Sequence, residues 1–134
     1  MDRETFKRLA WLRLREAKAL LERGYYQGAY YLCGYAVECG LKACLAKKTR
    51  RYAFPPDPKK VREGYWTHEL KNLLKEVGDP LAAEMKNNPN WAEATKWSEE
   101  TRYSLDATQT MARNLYTAVA ERKTGVLTCI RKYW

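Results

Sequence analysis

Leu20–Lys48, LLERGYYQGAYYLCGYAVECGLKACLAKK, is the stretch whose reading decides the fold. Apolar residues recur in it at three- and four-residue spacing: Tyr26, Ala29, Tyr30, Cys33, Ala36, Val37, Gly40, Leu41, Cys44 and Leu45. That is the period of a helix, not the alternation of a strand. The opposite side carries Tyr31, Leu32, Tyr35, Cys39 and Ala43. A helix apolar on most of its surface belongs in the middle of a bundle. Gly28, Gly34 and Gly40 each disfavour a helix interior by roughly 1 kcal/mol relative to Ala, which predicts close approach of neighbouring helices there. Glu38 is the polar exception. Buried, it needs a hydrogen-bonded or charged partner; Lys42 one turn on and His68 at a neighbouring helix start are the candidates.

Upstream, Asp2 is placed to cap a first helix over residues 3–22. Phe6, Leu9, Ala10, Leu14, Ala17, Leu20 and Leu21 form its apolar stripe, and Gly24 is its stop signal. The short link makes the first two helices antiparallel neighbours. Trp11 lies off the stripe, at a bundle edge or a dimer contact.

Downstream of Lys48, the segment TRRYAFPPDPKKVREGYW (residues 49–66) excludes a regular helix around Pro55, Pro56 and Pro58. A long loop is expected between helices two and three. It mixes Arg50, Arg51, Lys59, Lys60 and Arg62 with Tyr52, Phe54, Tyr65 and Trp66. Cations hold phosphates and aromatics stack bases, so Arg50, Arg51, Tyr52, Lys59, Lys60, Arg62 and Trp66 are the candidate RNA- or nucleotide-binding residues. The bland alternative is a solvated loop folded back on the bundle.

Thr67 reads as the cap of helix three, with Leu70, Leu73, Leu74 and Val77 buried and Gly78-Asp79-Pro80 ending it. A short helix through Leu81, Ala82 and Met85, a turn at Asn87–Asn90 and an Asn90-capped segment follow. Ser104 is the expected cap of the last long helix, whose stripe runs Leu105, Thr108, Ala112, Leu115, Val119 and Ala120. Gly125 either breaks that helix or lies within it. The terminal Arg131–Trp134 lies on the surface or across a partner. No alternating strand is present. The expected fold is all-α: an up-and-down bundle of four or five helices in a single domain over residues 1–134.

The chain has 25 Lys and Arg against 16 Asp and Glu, a formal charge of +9, which favours polyanionic or acidic partners. No apolar run reaches the roughly 20 residues of a bilayer span, and the first residues lack a signal-like apolar core. A cytoplasmic protein with no membrane association is expected. Cys33, Cys39, Cys44 and Cys129 form no Cys-x-x-Cys pair, and one histidine leaves a metal cluster improbable. No phosphate-binding glycine loop occurs, so neither metal nor cofactor is expected. His68 is the first group to test as a general acid or base. With Arg62 holding a phosphate it would make a metal-independent RNA-cleaving pair; the alternative for His68, as for Glu38, is a structural role.

Three segments together resemble a known family. Leu20–Tyr26, Ala29–Leu32, Ala36–Glu38 and Leu41–Ala43, preceded by Arg15-Glu16-Ala17, are similar to the start of the HEPN domain. Thr67–Leu74 resembles its third-helix start, and Trp97–Tyr103 its later segment. The resemblance implies a four- or five-helix bundle, commonly a homodimer. Its members include ribonuclease toxins and partners of a minimal nucleotidyltransferase in toxin–antitoxin pairs. The nuclease members carry an Arg, four to six residues, then a His, late in the bundle. Here the numerical match is Arg62 to His68, before helix three, and no histidine follows Arg102. The resemblance therefore implies a non-catalytic or degenerate member that binds a protein partner, RNA or a nucleotide. The alternatives are an endoribonuclease toxin using Arg62 and His68, or a structural dimerisation module.

Overall fold

Asp2 starts the first helix: its carboxylate accepts a hydrogen bond from the Thr5 amide at 2.9 Å, satisfying one of the donors that a helix start leaves bare. The computed structural model describes residues 2–48 and 67–134. Helix α1 (Arg3–Glu22) buries Phe6, Ala10, Leu14 and Ala17 along one stripe. Gly24 ends it, at a left-handed φ of +82° that a side chain would strain. The Gly24 amide donates to the Leu21 carbonyl at 3.2 Å and the Tyr25 amide to that of Leu20 at 2.9 Å, the closing bonds of a Schellman motif. The chain reverses into α2 (Tyr26–Lys47). A Cβ on Gly28 would lie 3.1 Å from a Leu20 methyl, and Arg13 sits over the Tyr35 ring at 5.8 Å. Numbers fall along α1 as they rise along α2, so the pair is antiparallel.

The second described stretch contains α3 (Leu70–Val77), α4 (Leu81–Lys86) and α5 (Pro89–Ala94). A 3-10 helix (Glu99–Tyr103), α6 (Gln109–Ala120) and α7 (Val126–Ile130) complete it. Helix α2 is the centre: 15 of its 22 residues are buried, because α1, α3, α6, α7 and the 3-10 helix all pack on it. Two of its glycines admit that packing. A Cβ on Gly40 would come within 2.9 Å of Leu127 on α7, and one on Gly34 within 2.1 Å of the Trp97 indole. The second neighbour is a ring from the turn after α5, not a helix.

The up-and-down bundle of four or five helices is corrected here. The described residues hold seven α-helices and the 3-10 helix. The extra helices arise where Gly78-Asp79-Pro80 and Asn87-Asn88-Pro89 cut the chain into pieces of six to eight residues, too short to stand without the core beneath them. The expected long loop, residues 49–66, lies outside the described residues. Three caps also move. Helix α3 begins after Glu69, and Thr67 instead accepts from the Glu69 amide at 3.1 Å. Asn88, not Asn90, caps α5. Helix α6 is capped by Thr108, not Ser104, leaving Leu105 94% exposed rather than in the buried stripe. Of the two readings of Gly125, the break is the one formed, with α6 ending at Ala120 and α7 starting at Val126.

Gln27 accounts for the late start of α6. Its amide nitrogen donates to the Thr101 carbonyl at 2.6 Å, and its amide oxygen accepts from the Ala107 backbone at 2.9 Å. One side chain at the start of α2 thus holds the 3-10 helix and the chain leading into α6. At the far end, Trp134 meets Trp11 edge-on at 5.8 Å, and its carbonyl accepts from Arg3 at 2.6 Å. Both tryptophans therefore pack against their own chain.

Candidate functional site

Glu38 faces inward from the middle of α2 and is 1% exposed. Its Oε2 accepts from Lys42 Nζ, one helical turn on, and contacts His68 Nδ1, each at 3.0 Å. Lys42 is itself 5% exposed. A carboxylate oxygen can only accept, so the bond requires the proton of His68 on Nδ1 and turns Nε2 away from Glu38. Glu38 Oε1 has no hydrogen-bond partner among the described residues. Such a buried arrangement holds only while its donors stay in place, because a charge left alone in the core is strongly destabilising.

The local chain aims the histidine. The bond from the Glu69 amide to Thr67 Oγ1 turns the backbone just ahead of α3, and the buried Leu70, Leu73 and Leu74 fasten that helix to α2. His68 is left with half of its side chain exposed, at the wall of a cavity of about 480 Å³. Trp97 forms another part of that wall, stacked 6.1 Å from Tyr31. Among the described residues the charged lining besides His68 is Glu69, Glu99, Glu100 and Lys71. Glu99 is paired with Arg102 at 3.1 Å, which leaves Glu69 and Glu100 against Lys71, so the described part of the lining does not gather cations as a phosphodiester would require.

Of the residues singled out in the sequence, Glu38 and His68 come together. Arg50, Arg51, Tyr52, Lys59, Lys60, Arg62 and Trp66 lie outside the described residues. The cavity's other wall was missed: Trp97, Glu99 and Glu100 are some thirty positions away in sequence, and nothing local to them points to His68.

A sequence comparison supplies the family. The pattern of the HEPN domain matches residues 4–124 of the 134. The chain belongs to the HEPN domain family. No curated protein and no solved structure matches it.

Within this HEPN domain, Arg102 pairs with Glu99 at 3.1 Å and lies over Tyr103 at 4.8 Å, and the only histidine of the chain is His68. The cysteines are free and buried. Burial pushes the thiols of Cys39 and Cys44 up to about 12, and that of Cys33 further, which removes the thiolate that nucleophilic or metal-binding chemistry needs. Among the described residues no group of three or more His, Cys, Asp or Glu is placed to hold a metal. No described helix is long and apolar enough to cross a membrane.

Proposed function

We propose that this HEPN domain is a non-catalytic member of its family that works by binding a partner. The acid-lined cavity in front of His68 carries the reading. An RNA-cleaving site gathers cations around the phosphate it attacks, whereas the described wall beside this histidine presents Glu69, Glu99 and Glu100. The Glu38 contact fits a histidine that ties α3 to α2. The formal charge of +9 suits an acidic protein or a polyanion as partner, and a minimal nucleotidyltransferase is the kind of protein with which HEPN domains pair. Incubation of the purified protein and a His68→Ala variant with mixed RNA in EDTA tests this. No cleavage by either, with both folded, is expected; cleavage that disappears with the histidine would overturn it.

The second reading, a metal-independent endoribonuclease using Arg62 and His68, draws on a different observation. His68 is half-exposed and oriented by a buried carboxylate, as a general base must be oriented. The same assay with Arg62→Ala separates the two: both substitutions abolish cleavage if the pair is catalytic.

A further inference from the structure

Trp11, Leu14 and Leu127 line a second cavity of about 540 Å³, between α1, α6 and α7 and away from His68. Arg122, Arg131 and Lys132 stand around it, and no acidic side chain is among its described lining residues. Lys132 is engaged by Glu84 at 3.0 Å. Arg122 and Arg131 are exposed and have no carboxylate partner among the described residues; Arg131 rests on the Trp11 ring at 5.5 Å. The volume lies in the range of ligand-binding pockets, and its chemistry is an apolar floor under two unpaired guanidinium groups.

Two anionic occupants suit such a place, a nucleotide or an acidic peptide, and the lining favours the second. A base needs an open aromatic face and polar groups to read its edge. Trp11 already has Arg131 over its ring and Trp134 against it. The Thr128 hydroxyl, the one hydroxyl of the described lining, already donates to the Glu121 carbonyl at 2.6 Å.

We infer that this cavity seats an apolar side chain from an acidic segment of a partner protein, whose flanking carboxylates pair with Arg122 and Arg131. The apolar group covers the accessible edges of Trp11 and Ala120, above the buried Leu14 and Leu127, and the guanidinium forks give paired bonds to carboxylates. The inference rests on the reading of the domain as a partner-binding member of its family, and gives that partner a chemistry and a place.

Fluorescence anisotropy tests it with a short labelled peptide of leucines flanked by glutamates. Its comparison peptides carry serine for leucine, or lysine for glutamate. The proteins are wild type, Arg122→Glu, Arg131→Glu and, as a surface control, Lys75→Glu, each checked by thermal unfolding. Wild type and Lys75→Glu should bind the leucine–glutamate peptide equally. Arg122→Glu and Arg131→Glu should weaken it about tenfold or more, and both comparison peptides should bind poorly. Equal binding by the pocket variants overturns the inference, as does equal binding of the serine peptide. Displacement of the peptide by ATP or single-stranded RNA at the same residues would make this a nucleotide or RNA site instead. Dimerisation lost in Arg131→Glu would make it an interface between copies. RNA cleavage measured on the same preparations keeps two failures apart: cleavage sinks the non-catalytic reading, whereas no peptide binding without cleavage sinks this inference alone.

Discussion

His68 Nδ1 lies 3.0 Å from Glu38 Oε2, joining the chain's one histidine to the one carboxylate that is fully buried among the described residues. The contact crosses from the start of α3 to the middle of α2, so it ties together the two stretches on either side of residues 49–66. Lys42 reaches the same oxygen from within α2. The group is therefore a charged pair inside one helix, to which a second helix is fastened by an imidazole.

The pair predicts a particular pattern of stability loss. Lys42→Met leaves the Glu38 carboxylate buried without its ammonium and should destabilise by about 3 kcal/mol. Replacing both charges, Glu38→Leu with Lys42→Met, should destabilise less than Lys42→Met alone, because no charge is then stranded. His68→Ala acts at a half-exposed site that water can enter, so about 1 kcal/mol is expected. Urea unfolding of the three variants beside wild type checks the order. A double variant weaker than Lys42→Met would show that the core depends on the pair itself.

The Trp97 ring lying on Gly34 leaves no room for a methyl group: a Cβ there would be 2.1 Å from the indole. Gly34→Ala should destabilise by about 1–3 kcal/mol through overpacking, although alanine is the better helix former. The effect should shrink in a Trp97→Leu background, where the smaller side chain can yield. An equal loss in both backgrounds, read from denaturation midpoints, would place the problem elsewhere than at the ring.

Much of α1 and α2 was legible because their signals are local and long. Asp2, Gly24 and the apolar stripe of α1 lie within about six turns of helix, and Leu20–Lys48 repeats its period often enough to be unmistakable. The later half offered less. Helices of five or six residues, such as α4, α5 and α7, hold too few turns for a period to emerge. Ser104 is the better cap on propensity alone; Gln27, far away in sequence, favours Thr108 by taking the Thr101 carbonyl and the Ala107 amide. The Glu38 contact was readable as a choice between two partners, and the structure brings both to it. The acidic wall was not readable, because only packing puts Glu99 and Glu100 beside His68.

Gln27 should therefore control a segment it does not adjoin. Gln27→Ala removes both bonds and should cost about 1–2 kcal/mol. It should also raise amide exchange across residues 99–107 while leaving α1 and the buried half of α2 protected. Hydrogen exchange by mass spectrometry resolves those segments. Unchanged exchange over residues 99–107 would mean that Trp97 and its neighbours hold the arm without help.

Alkali should destabilise this protein earlier than an ordinary helical domain, and the buried thiols set the sign. Burial raises Cys39 and Cys44 to about 12, and Cys33 further, whereas an unfolded thiol ionises near about pH 8.5. Below that value both states keep their protons and the stability is fully present. Above it the unfolded chain releases protons that the folded chain retains, so stability falls as pH rises towards 12, by roughly 1.4 kcal/mol per pH unit for each such thiol. Cys44 illustrates the cost of ionising in place: its Sγ lies 3.8 Å from the Ile130 carbonyl, a contact that a thiol can donate to and a thiolate cannot. Tyr30 and Tyr35, raised by burial, add to the slope above about pH 10. Urea midpoints between about pH 7.5 and 10.5, in reducing buffer, should drop steeply for the wild type. The slope should flatten when Cys33, Cys39 and Cys44 are replaced by alanine, whatever that variant's stability near neutrality, since the slope counts protons rather than contacts. Parallel slopes for the two proteins would rule the thiols out as its source.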